Sequence, residues 1–413
     1  GWNAVLETVI LKGGVTSIGA EAFDNCKKLH TIDMSACTQL TAIGTQAFFK
    51  CTGLQHIHFP SSLKTLEEQA FCECTALTTS DFSACTALEN IGTRAFKGCT
   101  ALPSVNLLSC TALKSIGEGA FYRCTDITEI KLPVSLISIG SEAFAYCKKL
   151  ASLNLSGCSS LKTIGNEAFT GCTGITGTVT FPAGLKTIGE YAFSKRDYSS
   201  NPCTGIQGLD FSACTALETI EKKAFAECTA ITGTVTLPQS LKKLGDNAFN
   251  KTQITSLDIS GCSALTFIGS AAFSDCTELA GTIRFPVNLK KIASYAFADC
   301  SKVTSLDFSH CTGLEKIEHH AFANGAALTT VLNFSGCTGL EILEEAVFRG
   351  CNELSVLSLP ASLKTIDSSA LYACKKLPNI NISGCTALDR GKRFFKMQCR
   401  DGYVAGKCSN YWK

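Results

Sequence analysis

"LKTIGNEAFTGCTGITGTVTFPAGLKTIGEYAF", residues 161–193, states nearly the same phrase twice. Leu-Lys-Thr-Ile-Gly starts at Leu161 and again at Leu185, and Ala-Phe occupies 168–169 and 192–193. Working outward from this stretch, the same phenylalanine recurs at Phe23, Phe48, Phe71, Phe96, Phe121, Phe144, Phe169, Phe193, Phe225, Phe249, Phe273, Phe297, Phe322 and Phe348, and Leu371 ends the series in a degenerate copy. Most steps are 23 to 26 residues, and one of 32, from Phe193 to Phe225, holds an insertion at 195–202. A fixed period of this length is the signature of a solenoid, in which each unit buries its apolar side only against its neighbours. The repeated residues are therefore the inward-pointing ones.

Two kinds of unit interleave. One reads Leu29-x-x-Ile32-x-Met34-x-x-Cys37-x-x-Leu40; the other, Leu54-x-x-Ile57-x-Phe59-Pro60-x-x-Leu63, has a shorter turn, hence the uneven step. Alternation such as Ile32-Asp33-Met34 predicts a short strand with one buried face. Parallel strands are expected at Ile32–Met34, Ile130–Leu132 and Leu257–Ile259. Fifteen of them at roughly 4.8 Å spacing would make a sheet about 70 Å long. Glu-Ala-Phe is expected to add a short helical turn on the outer side, with the phenylalanine buried. The fold class expected is a β-rich α/β repeat solenoid, right-handed, of about fifteen units, forming one elongated domain over residues 1–388. The tail, 389–413, abandons the repeat, and Phe394, Phe395, Tyr403 and Trp412 are read as a carboxy-terminal cap over the last apolar layer.

Composition narrows the function. Forty-five per cent apolar residues suffice for a core, whereas 17% charged residues and a net charge of +2 give a polyanion no electrostatic footprint. No run of 18 apolar residues exists, so no membrane span is expected. The start at Gly1-Trp2-Asn3 shows no signal-peptide pattern and is read as that of a chain whose own amino-terminal part has been removed.

"LPVSLISIGSEAFAYCKKL", residues 132–150, carries the strand-Pro-x-x-Leu-x-x-Ile-Gly-x-x-Ala-Phe-x-x-Cys-x-x-Leu pattern almost throughout. In this the chain resembles the BspA-like (Treponema pallidum type) leucine-rich repeat family, over about residues 5–388. The Asp-x-Ser-x-Cys units, as in "LDFSACTALETI", depart from the plainest form of that pattern. The resemblance implies a leucine-rich-repeat array and a surface-attached or secreted protein, bacterial or from a parasitic protist. It further implies binding of host proteins or other cells, and no catalysis.

Twenty-five cysteines invite a disulfide or zinc reading, but their register opposes it. Nine follow the strand and twelve sit three residues after the phenylalanine, or after Leu371 in the degenerate copy; Cys203 is a displaced copy of the latter set. Cysteines of the first set mostly lie two units apart, roughly 10 Å, beyond the ~7 Å limit for a disulfide. Reduced, buried thiols are expected. Cys399 and Cys408, in the tail, are expected to pair if the protein matures in an oxidising compartment.

The outward strand column supplies the candidate binding residues Asp33, His58, Asp81, Lys131, Asp210, Asp258, Arg284 and Asp307, with the 195–202 loop as a second candidate. No nucleophile–base pair, phosphate loop or metal-ligand motif stands out, so no enzyme, metal or cofactor is expected. His319-His320 and Glu344-Glu345 fall on outer turns. The expected role is an extended scaffold, a monomer, binding a surface protein or glycan, with no nucleic-acid partner. The alternative is a structural spacer without a ligand.

Overall fold

In the computed structural model the described residues are 5–196, 201–329, 331–378, 380, 382 and 384–388, and they fall into two compact units, 1–240 and 241–413. The expected cap, with Cys399 and Cys408, and residues 197–200 of the insertion lie outside the described residues.

In the first unit each turn of chain contributes strands to two walls. One wall holds the expected strands, Thr8–Ile10, Thr31–Asp33, His56–His58 and Thr79–Asp81, paired in parallel in chain order. Its central residues, Ile32 and Ile57, point inward and are fully buried. Ser104–Asn106 pairs with Glu129–Lys131, and Gly177–Thr180 with Ile206–Asp210, as separate ladders. The second wall is a run of nine two-residue strands, from Ser17–Ile18 to Thr219–Ile220, each presenting its Ile or Leu to the core. The second unit repeats the scheme with six such strands, Lys243–Leu244 to Thr365–Ile366, opposite the pairs Ala280–Arg284 with Lys302–Asp307 and Val331–Asn333 with Val356–Ser358. The chain is thus a parallel-strand solenoid of fifteen turns.

Three details differ from the sequence reading. The expected strands begin and end one residue earlier, at Thr31–Asp33, Glu129–Lys131 and Ser256–Asp258, because the chain turns inward at the next residue. The two-residue strands went unread, since Leu-x-Thr-Ile is too short to show a period. The third concerns the Ala-Phe segment, which is not helical.

That segment is a chain of overlapping turns. Around Phe48, Ala47 N donates to Gly44 O, Phe49 N to Gln46 O and Cys51 N to Phe48 O. Gln46 and Lys50, two residues either side of the phenylalanine, sit in the left-handed region at φ 56° and 54°. A helix would require i to i−4 bonds and negative φ throughout. The left-handed residues instead free alternate N–H groups to reach the next turn: Gln46 N to Glu68 O, Phe48 N to Ala70 O and Lys50 N to Cys72 O, all within 2.9 Å. The same placement recurs, as at Glu142 and Tyr146 around Phe144.

The phenylalanines stack as a column. Consecutive rings from Phe23 to Phe71 lie 5.0 Å apart, Phe96 follows at 5.3 Å, and Phe121 and Phe144 at 5.2 Å. A shorter second column, as in Phe59–Phe82 at 4.8 Å, meets the first edge-on, Phe59 against Phe71 at 5.7 Å. Beside the rings, each cysteine three residues on gives its thiol to the carbonyl of the preceding turn's phenylalanine: Cys99 Sγ to Phe71 O, 3.2 Å, and Cys124 Sγ to Phe96 O, 3.0 Å. All twenty-three cysteines among the described residues are buried and unbridged.

Turns also close tightly at the Ile-Gly step. A Cβ on Gly140 would stand 2.7 Å from the backbone of Gly117, and one on Gly165 2.5 Å from Ser141 N. At two of these steps a glutamate replaces the glycine and bonds the turn before: Glu67 Oε2 takes Thr45 N at 3.0 Å, and Glu318 Oε2 takes Ser294 N at 3.2 Å.

Candidate functional site: the outward strand face

The strand wall aims two residues per turn outward, one before and one after the buried central residue. In the first unit the register sets Asp33, His58 and Asp81 side by side, and His56 between Thr31 and Thr79, where its Nδ1 lies 2.9 Å from Thr79 Oγ1. Lys131 stands beside Asn106 and pairs along its own strand with Glu129, at 3.1 Å. Asp210 stands beside Thr180. In the second unit Arg284 is next to Asp307, Nε to Oδ2 3.7 Å, and Asp258 ends its own strand. The eight candidates are therefore dispersed in rows. Asp33–His58–Asp81 and Arg284–Asp307 are paired in register, and Asp258 lies one turn before Arg284.

The aspartates have a task that the column alone did not reveal. Asp33 Oδ1 accepts from Ser35 N at 2.9 Å and Ser35 Oγ at 2.6 Å, and Asp258 Oδ1 from Ser260 N at 3.1 Å and Ser260 Oγ at 2.8 Å. Asp81, Asp210 and Asp307 take the N–H of Ser83, Ser212 and Ser309 in the same way. Asn106, Asn154 and Asn333 do likewise with their side-chain oxygen. Each such residue closes a turn that carries the chain from strand to core, the local bonding for which Asp and Asn are favoured. The signal was legible in Asp-x-Ser.

At Asp33, Asp81, Asp210 and Asp307 those bonds favour the ionised form. Ser35 holds the carboxyl of Asp33 below its ordinary range, with a smaller contribution from His58, and Ser83 and His58 do the same for Asp81. Ser212 lowers Asp210; Ser309, with Arg284 and His310, lowers Asp307.

One cluster invites a catalytic reading. On the outer turns Ser294 Oγ lies 3.1 Å from His319 Nδ1, and Glu344 Oε2 lies 3.9 Å from the same nitrogen. A relay needs serine and carboxylate on opposite ring nitrogens. Here both address Nδ1, and Ser294 Oγ also bonds Glu318 Oε2 at 3.2 Å. The arrangement ties turns together. Among the described residues no three His, Cys, Asp or Glu side chains form a group able to hold a metal ion, and no helix is long and apolar enough to cross a membrane.

The family model for the BspA type leucine-rich repeat region, of six copies, matches residues 2–113, 89–216, 196–329 and 315–399. A leucine-rich repeat protein from Bacteroides ovatus ATCC 8483 is 25% identical, with a TM-score of 0.61, over 91% of this chain and 86% of that one. A leucine rich cell surface protein from Faecalibacterium prausnitzii A2-165 is 22% identical over 86% of this chain and 87% of its own, with a TM-score of 0.41. None of the curated proteins compared with the chain matches it.

Proposed function

Because this chain belongs to the BspA-type leucine-rich-repeat family, we propose that it is a surface-exposed or secreted interaction protein whose outward strand face binds a surface protein or glycan. One observation carries this reading: apart from Ile10, Val331 and Val356 the apolar strand positions are mostly consumed by the core, while acids, amides, hydroxyls and bases stand outward in fixed register at strand spacing. Such rows suit a large partner making many small contacts better than a substrate that needs enclosure. The engagement of the aspartates in turns favours the second reading, a spacer without a ligand, to the extent that their carboxylates serve only the fold.

The two readings separate in one experiment. The intact chain is screened on a glycan array and against purified cell-surface and matrix proteins, beside a variant carrying Asp33→Asn, Asp81→Asn, Asp258→Asn and Asp307→Asn. Asparagine already closes the same turn at 106, 154 and 333, so the variant retains its melting temperature. Binding lost with the charges supports the interaction reading, and no binding by either chain supports the spacer.

A further inference from the structure

The strand wall of the first unit is interrupted beside Asp210. Ile206–Asp210 pairs with Gly177–Thr180 but not with Thr234–Thr236, the next strand along. At this break a cleft of 740 Å³ opens, lined only by residues of the first unit between Leu209 and Ser240. Leu209 is half-buried here, as is Ile130 where its own ladder ends, whereas Ile32, Ile57 and Val179 are wholly buried.

The lining has a definite chemistry. Leu209, Phe211, Leu237 and Pro238 give it an apolar floor. Asp210, Thr215, Thr234, Thr236 and Gln239 give it a rim of one carboxylate, three hydroxyls and an amide. No lysine, arginine or histidine lines it, so nothing there would neutralise an anionic ligand. Asp210 is held ionised by Ser212, which uses at most two of the roughly four acceptor positions of a carboxylate. The volume falls within the range of small-ligand sites, about 300–1,000 Å³, and far exceeds one inserted protein side chain.

An apolar floor with a rim of mixed donors and acceptors matches a sugar ring, which offers a C–H face and hydroxyls that both give and accept. A cationic side chain would use the carboxylate and leave the donors of the rim unmatched. We propose that the cleft between Ile206–Asp210 and Thr234–Thr236 is a saccharide site that takes a neutral mono- or disaccharide unit of a larger glycan. Asp210 accepts from its hydroxyls, and Thr234 and Thr236 orient it. The proposal rests on the interaction reading above and commits it, at this position, to a glycan.

The test uses the intact chain, with saturation-transfer NMR and calorimetry. The probes are methyl glycosides of glucose, galactose, mannose and N-acetylglucosamine, with lactose and cellobiose, and N-acetyl-arginine amide as the cationic probe. At least one sugar is expected to bind. Asp210→Asn, which keeps its turn as Asn106 and Asn154 do, should weaken that sugar about tenfold, the loss of a charge-assisted hydrogen bond. The near-isosteric Thr234→Val should weaken it too, and Glu118→Gln, which touches only the exposed pair with Arg94 on the outer turns, should leave it unchanged. Three results would overturn the proposal: no sugar binds, the arginine amide binds in place of sugars, or Asp210→Asn and Thr234→Val bind as the parent does. If the sugar is retained by the last two and lost in the four-aspartate variant, the cleft is refuted while the strand-face reading stands.

Discussion

At Ala271 the backbone stands at φ 51°, in the left-handed region, two residues before Phe273. Such a residue costs on the order of 1–2 kcal/mol unless it is glycine, and the chain accepts this cost at most turns so that an N–H can reach its neighbour. Ala271→Gly should therefore stabilise the protein by about 0.5 kcal/mol, the relief of strain exceeding the added freedom of the unfolded chain. The usual penalty for glycine would change sign, and urea denaturation would show it. The aspartates make a second prediction. The folded-state values of Asp33, Asp81, Asp210 and Asp307 are lowered, so their contribution is complete above the ordinary carboxylate range and is lost as pH falls through the lowered values. Below about pH 5 the parent should lose stability faster than a variant with asparagine at all four positions, as seen in denaturation curves across pH. That these residues face outward was legible from period-two alternation. That they also close turns was written in Asp-x-Ser, but a column read for partners did not disclose it.

The turn around each phenylalanine shows where the sequence stops being informative. A short helix and a pair of left-handed turns both bury Ala-Phe and expose its neighbours, so side-chain pattern cannot choose between them. The choice lies in backbone hydrogen bonding to the next turn, which leaves no mark at Gln46, Lys50, Glu142 or Tyr146 except tolerance of polar residues. The phenylalanine column, by contrast, was legible, because only an inward position would hold one residue type through fourteen copies. Phe121 touches a ring on each side, at 5.2 Å, and Phe121→Ala should cost about 3–5 kcal/mol. The Ile-Gly step gives a paired test. Gly140→Ala drives a Cβ into the backbone of Gly117 and should cost about 1–3 kcal/mol. Glu67→Ala, at the equivalent step, loses only its bonds from Thr45 N and Oγ1 and should cost about 1 kcal/mol. Denaturation midpoints would rank the two.

For the whole molecule, the number of turns and the inward residues were legible, and the breaks in the strand wall were not. A break such as that beside Asp210 depends on how closely two backbones approach, and no single residue type encodes that distance. Stability here is a sum over neighbouring turns, so an uncovered end should tell. Leu377, in the last described turns, is half-buried, whereas Leu354 one turn earlier is fully buried. We expect deletion of residues 390–413 to lower the melting temperature or solubility; unchanged values would mean that the tail is merely appended. Denatured without reductant, the chain should yield about twenty or more titratable thiols, since the register opposes pairing. Native, it should yield almost none, because burial pushes Cys85 and Cys110 up to about 12 and Cys99 and Cys147 well above the ordinary range.

The thiol-to-carbonyl bond between successive turns has a consequence for the making of the protein. Cys51 is closed over only when its turn lies against the one that holds Phe23, so each thiol is protected by the docking of its own segment. A chain delivered unfolded into an oxidising compartment carries every cysteine bare at once, and an oxidant can join any two before winding is complete. Winding from one end, each turn sealing its sulfur as it settles, keeps the number at risk small and turns biogenesis into a race between coiling and oxidation. Refolding yield in an oxidising buffer should then fall steeply with any change that slows turn docking, and reductant should restore it.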